Sequence, residues 1–196
     1  MGIAERKAGL AAAFSASLTE NMSSPTAAEA ILKAYHITPH TEDEAAYQRI
    51  LEFANDIGYH APALAFAKSW PGKTYYYHFD EPNPWDGAFK GHSTHLLDAA
   101  FLFQGYNKKL AAEGREIATA LGKGFVKFAN GEAPWKAFDR DNGGLKRFGP
   151  SQESLERFVE GFGGEERRDQ LFRLKEEGVV DLDEVSRAWD LLLARQ

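Results

Sequence analysis

Residues 74–79, Thr-Tyr-Tyr-Tyr-His-Phe, are dense in β-formers and bounded by turn residues on both sides. They read as a strand in a chain whose other periodic segments read as helices. A single strand cannot make a sheet, because its backbone N–H and C=O groups need partners. Either further strands are concealed in less patterned sequence, or their partners lie on another polypeptide segment. Every reading of fold and function must satisfy this constraint.

The helical signals begin at Ser24-Pro25, where Ser24 can cap and Pro25 can occupy the first helical position. A helix is predicted over 27–35 and a loop over 36–40. Thr41 and Glu44 then form a capping box, with Thr41 as N-cap. The helix that follows carries Tyr47, Ile50, Leu51, Ala54 and Ile57 on one face, and Gly58 is expected to stop it. A shorter helix is predicted over 62–68. After the strand, Pro82, Pro84 and Gly87 mark a loop. Helices are predicted over the apolar end of 90–104 and over 110–128, with Asn130-Gly131 ending the second. Residues 139–150 read as a polar linker. Two or three amphipathic helices are expected beyond it, marked by Leu155, Phe158 and Val159, by Leu171, Phe172 and Leu174, and by Val185, Trp189, Leu192 and Leu193.

The 196 residues suit one domain of ordinary globular composition. With 23 Lys+Arg against 29 Asp+Glu, the net charge of −6 leaves no basic surplus for phosphates, so no nucleic-acid partner is expected. The absence of Cys excludes a disulfide framework, a thiolate metal site and a cysteine nucleophile. No apolar run approaches the ~20 residues that span a bilayer. The Ala-rich stretch after residue 10 is broken by Ser and does not read as a signal-peptide core. A soluble, cytoplasmic protein is expected.

Polar chemistry concentrates in Gly91-His92-Ser93-Thr94-His95, followed by Asp98. Gly91-x-Ser93-x-His95 comes near the G-x-S-x-G nucleophile elbow, but the last glycine is missing and a Pro-rich loop separates it from the strand. His92, His95 and Asp98 have a spacing that could place them on one helix face as metal ligands, although no obvious fourth ligand accompanies them. A histidine at the start of a helix, after a loop that follows a strand, could also serve as a catalytic base. Spacing alone favours none of these over a solvated loop histidine.

The run Tyr75-Tyr76-Tyr77-His78-Phe79-Asp80-Glu81-Pro82-Asn83-Pro84-Trp85-Asp86-Gly87, continuing through Gly91 to His95, resembles the C-terminal part of type-B carboxylesterases, the cholinesterase and lipase family. Phe53-Ala54-Asn55-Asp56-Ile57 with Pro62 and Trp70 is similar to the family segment upstream. Phe128-Ala129-Asn130-Gly131-Glu132-Ala133-Pro134-Trp135 is similar to the segment downstream. The likeness is closest to fungal members and covers most of the chain.

The resemblance implies the C-terminal part of an α/β-hydrolase fold, mostly helical with one strand near 74–79. Residues 1–140 would belong to the carboxylesterase domain and 141–196 to a helical extension. The family places an acidic residue three positions after its catalytic His and aromatics six and eight after. Asp98, Phe101 and Phe103 stand at those positions from His95, so the resemblance assigns His95 rather than His92 as the triad base. The family usually has Gly three before the His; here Gly91 stands four before.

The family's serine lies in G-x-S-x-G, and no such pentapeptide occurs here. Its acid also lies upstream, which places it before Met1. The implied function is therefore that of a carboxylic-ester hydrolase segment that supplies only the triad His and is inactive alone. A small-molecule carboxylic ester is the implied partner of the whole enzyme, with no cofactor and no metal. Self-association through the exposed sheet edge is expected of the isolated chain. The alternatives are a non-catalytic interaction module or pseudoenzyme derived from a hydrolase, and a metal-dependent enzyme built on His92, His95 and Asp98.

Overall fold

A computed structural model of the chain describes residues 8–151, 153–161 and 166–194. The chain is mixed α and β and mostly helical, with eight α-helices and three strands among the described residues. It divides into two compact units. One comprises residues 1–65 and 164–196, the other residues 66–163. No helix among the described residues is long and apolar enough to cross a membrane.

The first unit is helical. It contains α1 (Leu10–Asn21), α2 (Pro25–Ala34), α3 (Asp43–Asn55), α7 (Glu166–Glu176) and α8 (Leu182–Ala194). Ser24 accepts from the Ala27 amide and Pro25 takes the first helical position. The α3 cap is one residue later than the capping box implies. Glu42 accepts from the Ala45 amide, while the Thr41 hydroxyl accepts from the Thr38 amide at 2.8 Å and closes the preceding loop. Gly58 does not end the helical run as expected. A π-helical turn over Asp56–His60 carries it into α4 (Ala61–Ser69).

Phe53 lies at the centre of this unit's core. Its ring meets Phe14 at 4.9 Å, Tyr35 at 5.3 Å and Trp189 at 5.9 Å, all edge-on. Ile31, Ile50, Leu171, Val185 and Leu192 complete the same cluster. The polar groups it encloses are paired. The Ser17 hydroxyl donates to the Ala188 carbonyl at 3.0 Å, and the Tyr35 hydroxyl donates to Asp56 at 3.0 Å.

The second unit resolves the lone-strand problem from within the chain. β1 (Tyr77–Phe79) pairs in parallel with β2 (Leu145–Phe148), which pairs antiparallel with β3 (Glu156–Val159). Two expectations are corrected here. The supposed linker over 139–150 contains the central strand, and the supposed helix at Leu155, Phe158 and Val159 is the edge strand β3. The central strand is hard to recognise because Leu145 and Phe148 are buried on opposite faces, which erases the period-two pattern. Its Lys146 and Arg147 read as polar, yet they pair with Glu156 at 3.0 Å and with Asp80.

Between β1 and β2 run α5 (Leu97–Leu102) and α6 (Ala112–Ala129). This is the helical crossover that a parallel pair requires. The helices and the segment just after α6 cover one sheet face. Phe101 meets Phe79 at 5.1 Å, Phe125 meets Tyr77 at 5.8 Å, and Trp135 meets Phe148 at 5.8 Å. On the opposite face Tyr76 meets Phe138 at 5.8 Å.

Candidate functional site

The parallel alternation of β1 determines what each of its residues can do. The Tyr76 carbonyl and the Asp80 amide both bond to β2. The intervening odd-numbered residues, Tyr77 and Phe79, therefore direct their backbone groups to the other edge. Beyond Phe79 the chain enters a loop that runs to α5.

Hydrogen bonds close this loop on itself. The Asn83 amide donates to the His92 carbonyl at 3.0 Å, and the Gly91 amide donates to the Asn83 carbonyl at 2.9 Å. Gly91 lies at φ +84°, which suits a residue without a Cβ. The Asn83 side chain also accepts from the Trp85 amide at 2.9 Å. At the loop's start, the buried Glu81 carboxylate accepts from the Ser151 amide at 2.7 Å and the Ser151 hydroxyl at 2.8 Å.

His95 lies at the far end of this loop, two residues before α5, and is exposed. Residues 94–97 form a turn closed by the Leu97 amide on the Thr94 carbonyl at 3.1 Å. Leu96, at φ 63° and ψ 7°, occupies the left-handed position that glycine usually takes in a type II turn. A bulky residue held in this region costs roughly 1–3 kcal/mol.

The other sequence candidates have definite places. The Ser93 hydroxyl donates to the Phe79 carbonyl at 2.7 Å, so its proton is engaged by the strand end. Asp98 accepts from the Tyr77 hydroxyl at 2.9 Å through one oxygen and from the Ala99 amide at 2.8 Å through the other. Burial, the Asp98 charge and the hydrogen bond to Asp98 push the Tyr77 phenol well above its ordinary range, in that order of size. His92 is exposed on the loop. Among the described residues no three of His, Asp and Glu gather to hold a metal ion, so His92, His95 and Asp98 do not form one ligand set.

Two features of this region escaped the sequence reading, the Tyr77–Asp98 bond and the strained Leu96. The first had a faint signal, since Tyr77 is one of three consecutive tyrosines and Asp98 follows His95 at a helical interval. The second had none, because a leucine in left-handed conformation looks like any other leucine. Elsewhere in this unit, an open groove beside α6 is lined by residues including Phe103, Lys127, Trp135 and Lys146, and no residue of the 80–96 loop contributes to it.

Ser93 ties the chain just before the His95 turn to the end of β1, and His95 is exposed on that turn. No protein-family model matches the chain, and no curated protein matches it either.

Proposed function

We propose that this chain is the C-terminal portion of a type-B carboxylesterase with an α/β-hydrolase fold, and that His95 is the base of its catalytic triad. The observation that carries the reading is the placement of His95. It stands on a turn attached to the carboxyl end of β1, where the Ser93 hydroxyl meets the Phe79 carbonyl at 2.7 Å. In open α/β sheets, ligands bind outside the carboxyl ends of parallel strands. Support also comes from the spaced motifs at 53–57, 75–95 and 128–135.

In this reading His95 takes the proton from a serine hydroxyl as that oxygen attacks the ester carbonyl. It then returns a proton to the leaving alcohol. An acid orients the imidazole and stabilises the imidazolium. Serine, acid and oxyanion donors come from a polypeptide segment outside these 196 residues, so this chain alone has a base with no nucleophile to activate.

The test is to map the 5′ end of the transcript and to assay the encoded polypeptide with p-nitrophenyl butyrate, with and without His95→Gln. The expected result is an in-frame upstream G-x-S-x-G and a kcat that falls about 10²–10⁴-fold in the variant. The 196-residue chain alone should leave the ester at its rate in buffer. A His95→Gln enzyme as fast as the wild type would overturn the assignment, as would a transcript that supplies no serine.

A further inference from the structure

Two hydroxyl groups connect β1 to the chain that flanks the His95 turn, one at Ser93 just before the turn and one reaching Asp98 in the first turn of α5. Ser93, two residues before His95, donates to the Phe79 carbonyl at 2.7 Å. Asp98, three residues after it, accepts from the Tyr77 hydroxyl at 2.9 Å. Both connections end on the same strand, at positions two residues apart.

Neither connection extends the sheet. The backbone of Phe79 faces away from β2, so its carbonyl lies on the edge that a neighbouring strand would otherwise occupy, and the Ser93 hydroxyl takes it. The Tyr77 ring lies within the aromatic layer, 5.8 Å from Phe125 and 6.1 Å from Phe148. A phenylalanine would fill that space equally well, so the hydroxyl has its own use in reaching Asp98.

The intervening turn requires such support. Leu96 is 64% exposed, so packing of its own side chain contributes little to holding it at φ 63°. Leu97 and Phe101 are buried and anchor the helix beyond. A strained conformation persists only where the surroundings over-determine it, and such positions cluster at functional sites.

We infer that Tyr77 and Ser93 are positioning residues whose two tethers fix the direction of the His95 imidazole. The catalytic consequence rests on the esterase reading above; the ordering of His95 does not. With one tether cut, the turn still returns to the sheet but can pivot about the other. With both cut, Leu96 relaxes toward an ordinary backbone conformation and His95 turns with it.

The experiment reads His95 directly in the complete 196-residue chain. Isotope-labelled histidine reports its χ1 couplings and ring relaxation by NMR, with the signal assigned through His95→Gln. Wild-type His95 is expected to show one dominant rotamer. Tyr77→Phe and Ser93→Ala should each broaden the distribution, and the double variant should average it fully. Ser93→Thr and Asp98→Asn, which keep a donor and an acceptor in place, should behave as wild type. Asp98→Ala, at a half-exposed site, carries the second tether's test if Tyr77→Phe does not fold.

A double variant whose His95 remains as ordered as wild type overturns the proposal, even if its melting temperature falls. So does a wild-type His95 that is already averaged, or a conservative pair as loose as the deletions. In a polypeptide that also carries the serine, the single variants should lower kcat about 10–100-fold with KM unchanged. If that polypeptide hydrolyses no ester while the NMR pattern holds, the esterase reading falls and the tethers stand.

Discussion

At the scale of single residues, the fold clearly shifts the ionisation of the Tyr77 phenol. Burial, the charge of Asp98 and the hydrogen bond to it all favour the neutral form over the phenolate. The folded pKa is raised, so the native state holds a proton that the unfolded chain releases at its ordinary value of 10.0. This contribution to stability is fully present below that pH and is lost as the pH rises beyond it. Ultraviolet difference titration should therefore show a late phenol whose ionisation coincides with loss of near-ultraviolet circular dichroism. That step should be absent in Tyr77→Phe. The family resemblance pointed to His95, but not to the Tyr77–Asp98 bond. Chain spacing reports which residues share a turn, whereas the Tyr77–Asp98 bond joins residues 21 apart.

At the scale of elements, the helices were more legible than the strands. Apolar spacing located α3 and α6 because one face of each is buried and the other is wet. The same logic fails for β2, which is covered on both faces and carries charges that pair locally. Its entry depends on Gly144, at φ +111°, where an added Cβ would stand 2.7 Å from the Phe158 ring of β3. Gly131, beyond α6 at φ +77°, has nothing within 4 Å of that position. Both glycines have positive φ, but Gly144 is also crowded and lies farther from the left-handed helical region. Gly131→Ala should cost about 1 kcal/mol. Gly144→Ala should cost roughly 1–3 kcal/mol more, because the ring or the strand must move. Thermal melts of both variants check the order, and equal losses would refute the packing argument.

At the scale of the whole molecule, the first unit is assembled from both ends of the chain. α8 packs on α1, with Ala188 and Leu192 among the residues that close the core around Phe14 and Phe53. The apolar face of α8 was legible from Val185, Trp189 and Leu192. Its destination was not, because α1 buries Ser15 and Ser17 and so lacks a clean apolar stripe. Those serines bond to the Ala11 and Ala188 carbonyls, which satisfies them inside the core. Leu192→Ala should therefore cost about 2–5 kcal/mol although it lies close to the C-terminus. Leu191→Ala, at a residue 39% exposed, should stay within about 0.5 kcal/mol of wild type. Urea unfolding midpoints distinguish the two.

This arrangement also imposes an order on biosynthesis. α3 is complete at Asn55, but α7 does not begin until Glu166. At about 5–20 residues per second, a ribosome takes on the order of ten seconds to bridge that interval. Throughout it, the nascent α1–α3 face must wait, with Phe14 and Phe53 lacking the helix that covers them. All three strands of the second unit emerge during the same interval. All the strands of the second unit are thus synthesised before α1–α3 can bury the core they share with α7 and α8, and holdase chaperones have a long opportunity at α1–α3.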